Sequence, residues 1–304
     1  LVSAFGGGII RDGLFLNRPP VVGTDPIYLA IVTAAVLVVL LLGRILLRQR
    51  YLDKIIGYVD AIGTPAFCIV GMQLALLAGR PLLEHVWRQA SRSAAADVVV
   101  ATDDERIAAA ARGIGAEVLM TRASHQSGTE RAAEVAELRG WPDDAVVVNV
   151  QGDAPLMPPA AINQVADLLA AWPRAAMATL CTPITTVEEY RNSHVVKVVA
   201  DADGRALYFS RSPIPALSHS GGTDVPESFR HVGLYAYRVG ALRRLAAAPA
   251  CPLEITESLE QLRALWLGLE IRVAVARDLL GPDVDTPDDL DRAAEFLRRA
   301  GGVS

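Results

Sequence analysis

The residues of this chain best placed to do chemistry are two aspartates 132 positions apart. In AVVVNVQGDAPLMPP an apolar, β-branched run delivers Gln151, Gly152 and Asp153 at its tip. A carboxylate held there by a rigid strand suits a divalent cation on a triphosphate, because Mg²⁺ takes one or two carboxylates and completes its shell with phosphate oxygens and water. GPDVDTPDDL offers the second: Asp285 stands directly before a helix start, where the helix N-terminus also favours anions. Each has a plain structural use on its own, helix capping for Asp285 and an Asx-turn for Asp153. The pair together points to a metal site.

Three further stretches carry polar groups suited to recognition. In TRASHQSGTER, the small donors and acceptors Ser127, Gly128 and Thr129, with Arg131 one helical step on, suit the edge of a nucleobase; a surface loop capped by Ser127 or Thr129 is the alternative. RALYFSRSPIP puts Tyr208 and Arg211 at a strand end, and FRHVGLYAYR puts Arg230 and His231 at a strand start. Two guanidinium groups and an imidazole suit a sugar-acid carboxylate, which an Arg holds in a two-point fork. His231 alone reads as a satisfied core histidine. LEITESLEQLRALW spaces Glu254, Glu257 and Gln261 at three and four, on one helical face, with Leu259, Leu262 and Trp266 on another. The polar face is either solvated or turned toward sugar hydroxyls.

These side chains need a scaffold. After residue 81, short β-branched runs alternate with amphipathic stretches, the pattern of an α/β domain with a largely parallel sheet. Strands are expected at 97–101, 145–150, 195–200 and 271–276, and helices at 82–94, 104–112, 129–139, 159–171, 254–266 and 287–298. The last begins with Thr286 as N-cap and Pro287 at its first position. In such sheets ligands gather at the carboxyl ends of the strands, which is where the polar motifs fall.

The first eighty residues have a different texture. They carry seven basic and four acidic side chains, against 22 and 30 in the remaining 224, and no Glu precedes Glu84. Residues 27–42 form an aliphatic run close to the length of a bilayer core, and residues 61–78 form a second apolar run with Gly63 and Gly71. A pair of membrane helices, with residues 27–78 in contact with lipid, or a pair of buried soluble helices would each produce this text. The sequence starts at Leu1 without a methionine or a cleavable-signal layout, so its start reads as truncated. The acidic body excludes a nucleic-acid backbone as partner. Cys68, Cys181 and Cys251 have neither disulfide nor zinc spacing, which suits a reducing, cytoplasmic compartment.

Residues 4–77, through FGGGIIRD and DAIGTPAFCIVGMQLAL, resemble part of the bacterial trimeric intracellular cation channel family, with Gly6, Gly7, Gly8, Arg11 and Asp12 matching its glycine-rich helix break. Residues 79–300 resemble the 3-deoxy-manno-octulosonate cytidylyltransferases through seven ordered motifs: ATDDERI, TRASHQSGTER, NVQGDAP, LYFSR, RHVGLYAYR, LEITESLEQLRALW and VDTPDDL. The second resemblance implies a Rossmann-like nucleotidyltransferase fold with a mixed, mostly parallel sheet, preceded here by an α-helical membrane-type segment. The division expected is 1–78 and 79–304. It also implies a homodimer that joins CMP from CTP to the eight-carbon sugar acid. In that light Asp153 and Asp285 are the Mg²⁺ carboxylates, Ser127, Gly128, Arg131 and Gln151 the nucleotide contacts, and Arg211, His231, Glu254, Glu257 and Gln261 the sugar-acid pocket.

The family's opening strand and its Arg- and Lys-bearing triphosphate loop have no counterpart here, and Ala154 and Ser124 stand where the family commonly has Glu and Asp. The alternatives to a working transferase are a nucleotide- and sugar-acid-binding remnant, an activator of the related sialic acid, or a channel fragment joined to an unrelated coding sequence.

Overall fold

The structure, a computed structural model, describes residues 76–125, 127–216 and 225–301. The chain enters through β1 (Leu76–Leu77), which pairs antiparallel with β2 (Arg80–Pro81). Ala78 and Gly79 between them both have positive φ, 50° and 77°, a backbone state that costs Gly nothing. The end of the second apolar run is therefore a strand and a turn rather than the end of a helix. The rest of residues 27–78 lies outside the described residues, and among those described no helix is long and apolar enough to cross a membrane.

The helices follow in chain order as α1 (Leu82–Ser91), α2 (Glu105–Gly113), α3 (Gly128–Leu138), α4 (Pro159–Ala171), α5 (Val187–Arg191), α6 (Val239–Ala247), α7 (Pro252–Glu257), α8 (Gln261–Trp266) and α9 (Pro287–Gly301). Their starts follow local chemistry. Asp104, Ser127 and Thr186 each accept a backbone N–H of the first turn, satisfying donors that have no partner inside the helix. One expected helix, 254–266, is broken. Ser258 takes the left-handed conformation (φ 54°, ψ 48°) and ends α7, and α8 starts three residues on.

The remaining strands are β3 (Val99–Thr102), β4 (Glu117–Met120), β5 (Val146–Asn149), β6 (Met177–Pro183), β7 (Lys197–Ala200), β8 (Ala206–Ser210), β9 (Phe229–Arg238) and β10 (Ile271–Val275). Six of them form a sheet in the order β10-β6-β9-β7-β8, with β5 also on β9. Within it only β10 and β6 run parallel. The pairs of β9 with β5, β6 and β7, and of β7 with β8, are antiparallel. This corrects the mostly parallel sheet. The reason is β9, ten residues long, which serves three neighbours in the reverse direction, and the short β7–β8 hairpin, which no helical crossover could replace.

Apolar residues cover both faces of the sheet. Met177, Ala178, Leu180 and Cys181 of β6 are buried, with Leu242, Leu245, Leu262 and Ile271 in the cluster that includes Met177 and Cys181 and Ile162, Val165 and Leu169 of α4 in the cluster that includes Ala178 and Leu180. Lys197, fully buried, donates from Nζ to the carbonyls of Asn192 (2.9 Å), Val195 (2.6 Å) and Arg211 (2.5 Å). Its charge is spent on holding the backbone, so it has none to offer a phosphate.

β3 and β4 form a separate two-stranded parallel sheet. Helix α3 packs on both β3 and β5, yet no strand among the described residues joins them. Val146 is exposed and the rest of β5 only half-buried, unlike the central β6. An edge without a partner leaves its outward N–H groups to water. Amides of β5 that point away from β9 should therefore exchange with deuterium roughly a hundredfold or more faster than those of β6. Equal protection of the two strands would show that the edge is covered.

Candidate functional site

The backbone N–H of Val284 donates to the carbonyl of Asp153 at 2.7 Å. That single bond brings the loop before α9 against the tip of β5, and its packing is close: a Cβ on Gly281 would lie 2.4 Å from Cβ of Leu156. Leu77, Leu82, Leu156, Val284 and Ala293 form a buried cluster beneath it. Asp153 and Asp285 are thus brought together, and Asp283 joins them. Burial, with repulsion from Asp283 and Asp285, pushes the Asp153 carboxyl up to about 7. Burial and Asp285 push Asp283 up to about 6, against the pull of Arg230. Asp283 lies in the same GPDVDTPDDL stretch as Asp285, and the alternation Asp-Val-Asp, with Val284 buried between, sets both aspartates on the face opposite Val284.

The helix cap is not made by Asp285. Asp289 accepts the N–H of Thr286 (2.8 Å) and of Asp285 (3.2 Å), while Thr286 Oγ1 accepts the N–H of Asp289 (3.3 Å). Among the described residues no group of three or more His, Cys, Asp or Glu is placed to hold a metal ion, so protein ligands would number two at most. An all-oxygen set of two mutually repelling carboxylates, with the remaining ligands left to phosphate and water, fits Mg²⁺ rather than zinc.

Beside this corner lies the start of α3. Ser127 Oγ accepts the N–H of Glu130 (3.2 Å) and donates to Oε1 of Glu260 (2.7 Å). Gly128 is required by contact: a Cβ there would lie 2.8 Å from Nδ2 of Asn149, the last residue of β5. Gln151 Nε2 donates to the Gly233 carbonyl of β9 (3.2 Å). Ser127, Gly128 and Gln151 therefore surround the end of β5. Arg131 turns the other way, donating to Oγ1 of Thr121 and pairing with Asp103 at 2.8 Å, and so ties α3 to the small sheet.

The five residues expected around the sugar acid divide. Arg211 donates from Nε to the carbonyl of Glu257 (2.8 Å) and from its other nitrogens to Ser193 and Ser258 (3.3 and 3.4 Å). Glu257 accepts from Ser210 Oγ (2.7 Å) and the Arg211 N–H (2.9 Å). Glu254 pairs with Arg263 at 2.5 and 2.8 Å and closes a capping box with Cys251. These three hold α7 in place.

His231, between Phe209 and Tyr235, shares a 3.0 Å hydrogen bond between its Nε2 and Thr179 Oγ1, and burial pushes its pKa down to about 3. It is a neutral ring and supplies no positive charge. Gln261 alone of the five lines a small cavity of about 20 Å³, together with Glu260, Thr129, Tyr235, Tyr237 and Arg263. Glu260 and Tyr235 were not picked from sequence. The helical-face arithmetic assumed one continuous helix, and the break at Ser258 turns Glu260 and Gln261 inward where Glu254 and Glu257 had been expected.

The chain matches the sequence model of the family described as Cytidylyltransferase over residues 70–271 and that described as Glycine transporter over residues 1–44. It is 51% identical over 233 residues to the 3-deoxy-manno-octulosonate cytidylyltransferase of Thioalkalivibrio sulfidiphilus, covering 75% of this chain and 93% of that protein. It is 52% identical over 234 residues to the protein of that name from Pseudomonas syringae pv. tomato, covering 75% and 92%. Among solved structures, CMP:2-keto-3-deoxy-manno-octonic acid synthetase complexed with CTP matches with a TM-score of 0.70 at 36% identity, covering 75% of this chain and 92% of that one.

Two outcomes follow from the electrostatics. Without a divalent cation, Asp153→Asn relieves the repulsion and raises stability by about 1 kcal/mol, read as a melting temperature about 2–4 °C higher in chelator. His231 titrates at about 3 in the fold and at about 6.5 when unfolded. Its contribution is full above that unfolded value and is lost as pH falls from 6.5 toward 3. Between pH 7.5 and 5 the wild type should therefore lose about 1–2 kcal/mol more than His231→Gln, measured as denaturant midpoints.

Proposed function

This chain belongs to the cytidylyltransferase family, and from that premise we propose that it transfers CMP from CTP to 3-deoxy-D-manno-octulosonate, releasing pyrophosphate, for lipopolysaccharide synthesis. The observation that carries the reading is the convergence of Asp153 and Asp285 at the strand tip, between the Ser127–Gly128 loop and the cavity of Gln261. Identity of about half over nearly the full length of the relatives supports the substrate pair.

Asp153 and Asp285 would hold Mg²⁺, with Asp283 at their edge. When bound, the ion neutralises the triphosphate and draws charge from the α-phosphorus. The chain's own part is placement. Ser127, Gly128 and Gln151 hold the cytidine over the end of β5, while Arg131 fixes the angle of α3 through Asp103. Gln261 and His231 orient the sugar acid, with Arg211, Glu254 and Glu257 keeping α7 and the turn after it in position. The anomeric hydroxyl attacks the α-phosphorus in line as pyrophosphate leaves. Orientation and charge neutralisation do most of the work in such transfers. The domain works in the cytoplasm, as a homodimer, and takes in residues 79–304 together with β1, whose Leu77 lies in the cluster beneath the site.

A second reading, binding without turnover, is favoured by the absence, among the described residues, of a strand joining the β3–β4 sheet to β5. One assay separates the two. Given CTP, Mg²⁺ and the sugar acid, the full chain should release pyrophosphate, and Asp153→Asn or Asp285→Asn should reduce kcat by roughly a hundredfold or more. Sugar-acid binding with no pyrophosphate would establish the remnant.

A further inference from the structure

In the sugar acid the carboxylate and the attacking anomeric hydroxyl are bonded to one carbon. When that hydroxyl stands before the α-phosphorus, the carboxylate therefore lies beside the corner of Asp153, Asp283 and Asp285. The corner is already crowded with negative charge, and a further anion settles there only where a cation faces it. The residues whose types suggest that role are taken. Lys197 and Arg211 give their nitrogens to backbone carbonyls, Arg263 is held by Glu254 and two carbonyls, and His231 is a neutral ring.

Arg230 is the exception. It stands near the start of β9, which runs on past the end of β5: Tyr235 pairs with Asn149, Gln151 Nε2 reaches the Gly233 carbonyl, and Arg230 lies beyond both. Neighbours on a strand point to opposite faces. His231 turns in between Phe209 and Tyr235. Arg230, its side chain 43% exposed, turns out, and its charge acts on Asp283. Its ion pair among the described residues is with Glu189 at 3.8 Å, too long for a hydrogen bond, so the N–H fork of the guanidinium is left for a ligand.

We propose that Arg230 holds the carboxylate of the sugar acid in a two-point fork and thereby sets the preference for an acid over a neutral sugar. This rests on reading the aspartate corner as the site of transfer, and deepens that reading by naming the group that recognises the anion. Planar, bidentate pairing with a carboxylate is what a guanidinium does best. Glu189 keeps Arg230 near its working position without a hydrogen bond that the ligand must displace.

The test compares 3-deoxy-D-manno-octulosonate with its uncharged C1 amide, each titrated calorimetrically into the full chain with Mg²⁺ present. The wild type should bind the acid at least tenfold more tightly than the amide. Arg230→Gln should bind the acid at least tenfold more weakly than wild type and the amide within about twofold of it, so that the preference disappears. Arg230→Lys, which keeps the charge and loses the fork, should fall between the two. Both variants should melt within about 2 °C of wild type, because the ion pair removed is an exposed one. Acid binding by Arg230→Gln within about twofold of wild type, or an equal loss for acid and amide, would overturn the proposal while leaving the sugar-acid site standing. Failure of the wild type to bind either compound would overturn the site and the proposal together.

Discussion

The hydrogen bond from Val284 to the carbonyl of Asp153 organises this molecule's chemistry. It fixes a loop from the far end of the chain on the tip of β5, and the apolar cluster of Leu77, Leu156, Val284 and Ala293 holds it there. The cost of the arrangement is carried by Asp153 and Asp283, whose proton affinity is raised by burial and by the neighbouring carboxylate charge. A fold optimised for stability alone would not gather them. Backbone bonding and side-chain repulsion oppose each other at one point, and the backbone wins because Val284 is fully buried.

Charge is used elsewhere for scaffolding. Lys197, Arg211 and Arg238 all direct their nitrogens at backbone carbonyls. Such bonds satisfy acceptors that turns and strand ends leave unpaired. Arg263 is bound in the same way on one side and by Glu254 on the other. The consequence is that Arg263, the cation lining the cavity of Glu260 and Gln261, is held by other partners. Whatever enters meets hydroxyls, an amide and one carboxyl group.

The carboxylate corner was legible in the sequence because each half of it is local. An apolar run followed by Gln-Gly-Asp, and Asp before Thr-Pro at a helix start, state their own geometry. Even Asp283 was readable from the alternation around Val284. The sugar-acid residues were not, for a specific reason. Spacing rules hold only while a helix continues, and no signal short of the fold says that Ser258 turns left-handed. Arg211, Glu254 and Glu257 are typical ligand residues in type, yet neighbours distant in sequence claim them first.

The sequence by itself determined most of the helices, their caps, the four expected strands and the two aspartates, since each depends on residues within a few positions of one another. Only the tertiary structure decided the antiparallel pairing of β9 with three neighbours, the parallel pairing of β3 with β4, and which polar groups remain free to meet a ligand. Strand direction and side-chain availability depend on partners dozens of residues away, and the choice between partners is settled by burial, which no local pattern encodes.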